Sequence, residues 1–319
     1  MKTLPTLEEV KSDFFHFPVL YREVCDFASL LSNRTLFVDA TIGGGAHSYI
    51  IHQHYPFEYH VGFDRDERMI NKAKENFDRL LIPNEILTVP SNKISKNKIY
   101  LVNQRFSNIR EILKHFGKKI NFLLCDLGIS MYHLKNSWGF SFDDGLLDMR
   151  LDPESMDVKE ILNTFEENAL SKIFLQYGEE KFSKIIAKEI IRNRPIESSS
   201  QLKEIIIKVY YKKYRTRIQP KVVQRVFQAL RIYANQELQE LEELLKILPD
   251  VLDHRAIAIF ISFHSLEDRL IKTYFKNYQA KGHVILTKKP LTPKNDEVKI
   301  NPASRSAKLR ALQWKNTNS

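Results

Sequence analysis

The stretch "FVDATIGGGAHS" (37–48) sets three glycines directly after a short apolar run that ends in an acid. Because glycine lacks a Cβ and tolerates positive φ, a turn built on Gly43, Gly44 and Gly45 lets the backbone approach a ligand closely. A helix after the turn would point its free N–H groups at the same ligand. The stretch therefore predicts a strand, a tight turn and a helix around a ligand site, with a purely structural turn as the alternative.

Short β-rich runs alternate with helical stretches on either side of this turn, which is typical of a parallel sheet covered by helices. The runs are "TLFVDA" (35–40), "YHVGFD" (59–64), "KIYLVN" (98–103) and "INFLLCD" (120–126). Near the end of the chain, "AIAIFISF" (256–263) predicts a further strand. The runs "HVILTK" (283–288) and "AKLRALQW" (307–314) predict a closing pair of strands.

The apolar spacing changes in the middle of the chain. Val158, Ile161, Leu162 and Phe165 recur at i, i+3, i+4 and i+7, and similar helical spacing continues beyond them. We therefore predict one α/β core, residues 1–134 and 231–319, interrupted by a helical insertion over 135–230.

Two further acids end predicted strands. Asp64 lies 19 residues beyond Gly45, where an α/β nucleotide site places a carboxylate that accepts hydrogen bonds from ribose hydroxyls. Asp126 is predicted at the same sheet edge, either as a ligand contact or as the N-cap of a following helix. The glycines do not follow the G-x-G-x-x-G spacing and no Walker lysine follows, so an adenosine joined to an amino acid, as in S-adenosylmethionine, fits best.

Composition narrows the class of partner and the compartment. Lys and Arg number 49 against 39 Asp and Glu, a formal charge of +10, which favours an anionic partner such as nucleic acid. A basic protein without such a partner is the alternative.

Cys25 and Cys125 are the two cysteines of the chain, so we expect no disulfide framework and no metal site. With neither a signal sequence nor a membrane-length apolar run, we expect a soluble cytoplasmic protein without membrane contact.

From "FPVLYREV" (17–24) to "RSAKLRALQ" (305–313), the chain resembles the MraW family of bacterial ribosomal RNA methyltransferases. The resemblance is carried by strings that include "VDATIGGGAHS" (38–48), "FDRD" (63–66), "RFSNI" (105–109), "DLGIS" (126–130), "YGEEKFSKIIAKEI" (177–190), "ISFHSLEDR" (261–269) and "NPASRSAKLR" (301–310). It implies a class I S-adenosylmethionine-dependent methyltransferase fold with a helical subdomain that helps to recognise RNA. The implied reaction is N4-methylation of a cytidine in the decoding region of small-subunit (16S) ribosomal RNA. Naked RNA and the assembled small subunit stay open as substrates, and a homodimer stays open as the oligomeric state.

The resemblance also implies a set of cofactor contacts. Gly45, Ala46 and His47 would line the methionine part of the cofactor and Asp64 would hold the ribose. Phe106 and Asp126 would flank the adenine. Relatives usually have a glutamine in contact with the cofactor where this chain has His133, and a histidine can donate a comparable hydrogen bond.

Catalytic candidates occur in two places: directly after the last long strand run, and within the long loop that follows "DLGIS". They are His264, Ser265 and Glu267 in the first group and Asp148 and Arg150 in the second. The alternative for His264 is a histidine that caps the end of a strand and is hydrogen-bonded to the backbone. The sequence names no general base among them.

RNA contacts are predicted from aromatic and basic clusters. Trp138, Phe140 and Phe142 are candidates to stack an extruded base, with burial in the core as the alternative. Two basic clusters are candidates for phosphate contacts, with a solvated helix face as the alternative for the first. They are "YYKKYRTR" (210–217), with Lys212, Lys213, Arg215 and Arg217, and "SRSAKLR" (304–310).

Two other functions stay open from the sequence. A non-catalytic RNA-binding or ribosome-assembly factor could retain the same fold and cofactor residues. A nicotinamide-dependent dehydrogenase is supported by the glycine turn and Asp64 alone, and the glycine spacing argues against it.

Overall fold

The computed structural model describes residues 4–6, 17–88, 94–128, 145–214 and 220–315. They form two compact units, an α/β unit (1–130 and 240–319) and a helical unit (131–239). The units divide at 130/131 and 239/240, where the sequence predicts boundaries at 134/135 and 230/231.

An eight-stranded sheet forms the centre of the α/β unit, in the spatial order β3-β4-β2-β1-β5-β6-β8-β7. Neighbouring strands from β3 to β6 pair in parallel, and β8 runs antiparallel to both β6 and β7. This mostly parallel sheet with a terminal antiparallel pair confirms the predicted fold class. The strands are β1 (Leu36–Asp39), β2 (Tyr59–Asp64), β3 (Asn84–Ile86), β4 (Ile99–Asn103), β5 (Ile120–Asp126), β6 (Leu252–Ser262), β7 (Val284–Ile285) and β8 (Lys308–Gln313).

The described residues also form twelve α-helices. In the α/β unit these begin with α1 (Tyr21–Ser29), α2 (Ala46–His54), α3 (Glu67–Arg79) and α4 (Ile109–Phe116). The helical unit contains α5 (Val158–Thr164), α6 (Glu167–Gly178), α7 (Ser183–Arg192), α8 (Ser199–Tyr214) and α9 (Pro220–Ala234). The chain continues with α10 (Glu237–Val251), α11 (Ser265–Ala280) and α12 (Asn295–Ile300). Within the described part of the chain, we find no helix with the length and apolar character needed to cross a bilayer.

Alternate strand residues face opposite helical layers. Val38 and Leu123 pack into a buried cluster with residues of α4, α10 and α11. Phe37 and Phe122 point the other way and pack with residues of α1 and α2. Both faces of the central strands are therefore buried and apolar, as is usual for parallel strands. The edge at which the strands end is left as the place for polar chemistry.

Two strand predictions differ from the structure at their ends. Strand β6 begins at Leu252 rather than at Ala256 because the residues before Ala256 join it through a register shift opposite Ile120 and Phe122, with Arg255 at φ 61°. Strand β7 keeps two residues of the predicted six. The short edge strand β3 was missed because its sequence, "NEI", carries no apolar alternation.

Candidate cofactor and active site

The turn after β1 is a left-handed glycine turn. Gly43 has φ 50° and Gly45 has φ 86°, a region that side chains disfavour. Gly45 is the N-cap of α2, and a Cβ on it would lie 2.5 Å from Cζ of Phe77. A Cβ on Gly43 would meet nothing within 4 Å. The turn is therefore packed tightly on its α3 side and borders open space at Gly43, where a ligand can approach.

Three strand ends converge on this turn. The backbone N–H of Gly43 donates to Oδ2 of Asp64 over 3.1 Å, and the N–H of Asp66 donates to Oδ1 over 2.9 Å. On the other side, the N–H of Asp126 donates to Oγ1 of Thr41 over 2.6 Å. The structure thus brings Gly45, Asp64 and Asp126, predicted separately, to one carboxyl edge.

Burial raises the pKa of the two acids at this edge and so disfavours their ionised forms. It raises the pKa of Asp64 to about 7, against two stabilising backbone N–H groups. It raises the pKa of Asp126 to about 8, with a further contribution from the carboxylates of Asp39 and Glu267. Each carboxylate oxygen has two lone pairs, so Asp64 retains acceptor capacity on both oxygens beyond its two N–H partners. Ligand hydroxyl or amine donors would satisfy that capacity.

His47 is held by the segment that precedes α1. Its Nε2 lies 2.9 Å from the carbonyl oxygen of Val19. A carbonyl can only accept, so Nε2 carries the proton. Its Nδ1 then faces Oδ2 of Asp126 at 3.8 Å, and both side chains are buried. His47 and Asp126 therefore lie side by side next to the glycine turn.

The remaining predicted cofactor residues of the described chain lie at the same edge. Ala46 is the buried first residue of α2. Phe106 begins a short 3₁₀ turn after β4 and is partly buried against the core, as Leu127 is after β5. The Phe106 ring and the Leu127 side chain thus lie near Asp64 and Asp126 and offer the apolar surface that a heterocyclic base packs against. His133 lies outside the described residues, as do Trp138, Phe140 and Phe142.

Of the catalytic candidates, His264 has a structural role. It is the N-cap of α11, where its Nδ1 accepts from the N–H of Glu267 over 3.4 Å in a reciprocal capping box. The Glu267 carboxylate accepts in turn from the N–H of Phe263 over 2.8 Å. His264 thus caps a helix through backbone hydrogen bonds, whereas the predicted alternative had it cap the end of a strand. Ser265 is the exposed first residue of α11.

Asp148 belongs to the helical unit. Its carboxylate pairs with Arg150, with Nη2 of Arg150 lying 3.0 Å from Oδ2, and both side chains are about two-fifths exposed. Its backbone oxygen accepts from the N–H of Val158 at the start of α5. Within the helical unit, the contacts of Asp148 are those of a surface loop.

A buried polar relay behind the turn was missed by sequence reasoning. Ser48 donates to Oδ2 of Asp39 over 2.7 Å, and Nε2 of His60 lies 2.9 Å from Ser48 Oγ. Burial raises the pKa of Asp39 to about 6 and lowers that of His60 well below its usual value. The relay anchors the start of α2 to β1 and β2. Its one signal in the sequence was an acid at the last position of an apolar strand.

The residues present fit S-adenosylmethionine. The open face at Gly43 lies beside a carboxylate with free lone pairs, and the N-cap of α2, Gly45, offers no side-chain cap to the first N–H groups of the helix. The carboxylate suits a ribose, and the helix N-terminus suits the methionine carboxylate.

The family model of the MraW methylases matches residues 13–315. This chain belongs to the MraW methylase family. As a methylase of this family it uses S-adenosylmethionine as its methyl donor.

Relatives match this chain over nearly its whole length. A protein of Sulfurihydrogenibium sp. (strain YO3AOP1) named ribosomal RNA small subunit methyltransferase H is 40% identical over 92% of this chain and 97% of its own length. A protein of the same name from Pseudothermotoga lettingae is 36% identical over 95% of this chain and 100% of its own. The solved structure of an rRNA methylase from Streptococcus thermophilus matches over 99% of this chain and 100% of its own length at TM-score 0.43 and 11% identity.

Proposed function

We propose that this methylase transfers a methyl group from S-adenosylmethionine to N4 of a cytidine in the decoding region of small-subunit ribosomal RNA. The observation that carries the proposal is the convergence of the Gly45 turn, Asp64 and Asp126 at one carboxyl edge. The substrate is supported by the shared name of the relatives. The N4 position and the decoding region rest on the resemblance.

Each residue of the edge has a proposed contact. Asp64 accepts from the ribose hydroxyls, and the N-terminal turn of α2, with Gly45, Ala46 and His47, faces the methionine part. Phe106 and Asp126 flank the adenine, with His133 proposed as a further contact. The hydrogen bond from His47 to Val19 keeps the imidazole in a fixed orientation while the cofactor enters.

The cofactor supplies an electrophilic methyl group on sulfur. The N4 amine of cytosine is a weak nucleophile because its lone pair conjugates with the ring, so the protein must orient the amine and accept hydrogen bonds from it as positive charge develops. A desolvated edge strengthens such hydrogen bonds. Among the catalytic candidates His264, Ser265 and Asp148, the capping geometry of His264 favours a structural role for that residue.

RNA binding is proposed for both units. The excess of 10 positive charges suits a polyanion. In the helical insertion Lys212 is exposed on α8, with Glu189 at 3.9 Å as a weak partner. In the C-terminal cluster, Lys308 lies 3.5 Å from Asp268 and stays two-fifths exposed. We propose the cytoplasm as the compartment of this reaction.

The first test is calorimetric titration with S-adenosylmethionine and, in parallel, with NADH, using Asp64→Ala as the control. We expect S-adenosylmethionine alone to bind and the variant to lose it. Transfer of tritium-labelled methyl to unmodified small subunits and to naked rRNA then tests the reaction, and nucleoside analysis of the product tests N4 of cytidine. Binding without transfer to either RNA would favour an assembly factor, and NADH binding would favour a dehydrogenase.

A further inference from the structure

A cavity lined by several cationic side chains lies in the α/β unit between α11 and the antiparallel strands β7 and β8. Its volume is about 180 Å³. Its polar lining residues are Lys272, Lys276, Gln279, Thr287, Lys288 and Arg310, and none of the described residues that line it is acidic. The described lining of the cavity therefore contributes four cations and no acidic side chain.

One of the four cations is buried and fixed. Arg310 is 8% exposed, and its Nε lies 2.6 Å from Oδ1 of Asp268. Lys308 approaches the other oxygen of the same carboxylate at 3.5 Å. Although burial opposes it, the hydrogen bond from Arg310 lowers the pKa of Asp268. One ionised carboxylate thus orients a guanidinium in the cavity wall and is itself shared between two cations.

The three lysines are exposed. Among the described residues, none of them has an acidic partner within 4.0 Å. Lys272 and Lys276 are one turn apart on the same face of α11, about 6 Å along its axis. A cavity of this kind suits an anion with several acceptor oxygens, and a phosphate group is the commonest in biology that matches both a guanidinium and mobile ammonium groups.

The position of the cavity relates it to the methyl-transfer edge. Helix α11 starts directly after β6, whose carboxyl end belongs to that edge, and runs back along the sheet. Lys272 is thus about 10 Å along the helix axis from its first residue, and Lys276 about 17 Å. A polyanion with one nucleotide at the carboxyl edge can therefore reach the cavity along the exposed side of α11.

We propose that this cavity binds backbone phosphates of the RNA substrate next to the nucleotide that is methylated. The inference rests on the proposed function, since it takes RNA as the substrate. It assigns Lys272, Lys276, Lys288 and Arg310 a positioning role, in which phosphate contacts fix the register of the strand while other residues read the base.

The test compares two pairs of lysines that carry the same charge. The cavity variant is Lys272→Gln with Lys276→Gln. The control is Lys118→Gln with Lys119→Gln, two exposed lysines between α4 and the amino end of the central strand β5. Binding of a fluorescently labelled small-subunit rRNA transcript is followed by anisotropy between about 50 and 200 mM KCl.

We expect the cavity variant to bind RNA roughly 5- to 10-fold more weakly and to lower the slope of log K against log salt by about 1.4, two single-strand phosphate contacts. In the methylation assay its KM for RNA should rise while kcat stays the same, and calorimetry should show unchanged affinity for S-adenosylmethionine. The control pair should keep the wild-type slope.

The inference is overturned if the cavity variant keeps wild-type affinity and slope, or if the control pair loses as much, because the effect would then follow net charge alone. Failure of the proposed function is a separate result, since the wild-type protein would then transfer no methyl group to rRNA or to small subunits. In that case the inference fails with it.

Discussion

The carboxyl group of Asp64 decides how cofactor binding responds to pH. Burial raises its pKa to about 7, and only the ionised carboxylate accepts from both ribose hydroxyls. At pH 6 most of the free protein must lose a proton before it binds. We therefore expect the affinity for S-adenosylmethionine to fall up to about tenfold from pH 8 to pH 6. Calorimetric titration across this range measures the effect.

Asp64→Asn is the control for this prediction. The variant should bind S-adenosylmethionine more weakly at every pH and lose most of the pH dependence of binding. The remaining dependence would come from Asp126, whose pKa burial raises to about 8.

The stability of the unliganded protein should change with pH in the opposite direction to the affinity. A carboxyl whose folded pKa lies above its unfolded value loses stabilisation as pH rises through the folded pKa, so ionising Asp64 should lower the free energy of unfolding between pH 4 and 8. Equal affinity at pH 6 and pH 8 in the wild type would contradict this assignment.

Gly45 and Gly43 allow strain and packing to be separated. Both have positive φ, but a Cβ on Gly45 would lie 2.5 Å from the Phe77 ring, whereas one on Gly43 meets nothing within 4 Å. We expect Gly43→Ala to cost about 1 to 2 kcal/mol in unfolding free energy from backbone strain alone. Gly45→Ala should cost about 2 kcal/mol more, as overpacking does.

Urea unfolding measures both glycine variants. The double variant Gly45→Ala with Phe77→Ala should be less destabilised than the sum of the two single changes, because removing the ring removes the clash. Additive effects would show that Phe77 is not what excludes a side chain from the turn.

Among individual residues, the sequence predicted those that can be recognised from their neighbours along the chain. Gly45, Asp64 and Asp126 each end or follow an apolar run, so strand order alone brings them to one edge. The partners of His47 and Ser48 could not be predicted in this way. His47 contacts Val19, 28 positions away, and Ser48 contacts His60, 12 positions away, and such contacts depend on how helices and strands pack.

At the scale of single elements, the start of α11 separates capping from catalysis. His264 caps the helix through the N–H of Glu267. We expect His264→Ala to lower the unfolding free energy by about 1 kcal/mol. Asparagine caps helices well but has no titratable ring, so His264→Asn should recover the stability and keep kcat. A folded, stable His264→Asn protein that transfers methyl groups slowly would instead make His264 catalytic.

Strand ends were harder to predict than strand centres. The apolar centre of β6 follows from its sequence, yet its first residues are polar and join the sheet only because β5 lies beside them and accommodates a register shift. Likewise β3 forms from "NEI" because β4 offers an open edge. Pairing with a neighbour, which sequence periodicity does not encode, defines these ends.

At the scale of the whole molecule, each unit has its own buried interior. The change from strand period to helix period near Val158 is a property of the sequence, and it coincides with α5 in the structure. In addition to its apolar packing, the helical unit contains a buried carboxylate that accepts hydrogen bonds from two other helices. Glu180, fully buried between α6 and α7, accepts from Arg225 on α9 over 2.6 Å and from the hydroxyl of Tyr210 on α8.

This cluster predicts how a single change loosens the helical unit. Glu180→Gln keeps the shape but removes the charge that Arg225 faces, and loses acceptor capacity for a second donor. Because Arg225 is two-fifths exposed, the cost should lie below that of a fully buried pair, at about 2 to 3 kcal/mol. The same substitution at Glu204, exposed on α8, should cost less than about 0.5 kcal/mol.

Hydrogen exchange followed by mass spectrometry locates the effect. In Glu180→Gln, amides of α6 to α9 should exchange roughly 30- to 150-fold faster, the equivalent of 2 to 3 kcal/mol in local opening, while β1, β2 and β5 keep their protection. Adding S-adenosylmethionine should protect the turn after β1 and leave the faster exchange of α6 to α9 unchanged. If the strands of the α/β unit lost protection to the same degree, the two units would open together and the buried carboxylate would stabilise the whole chain rather than the helical unit.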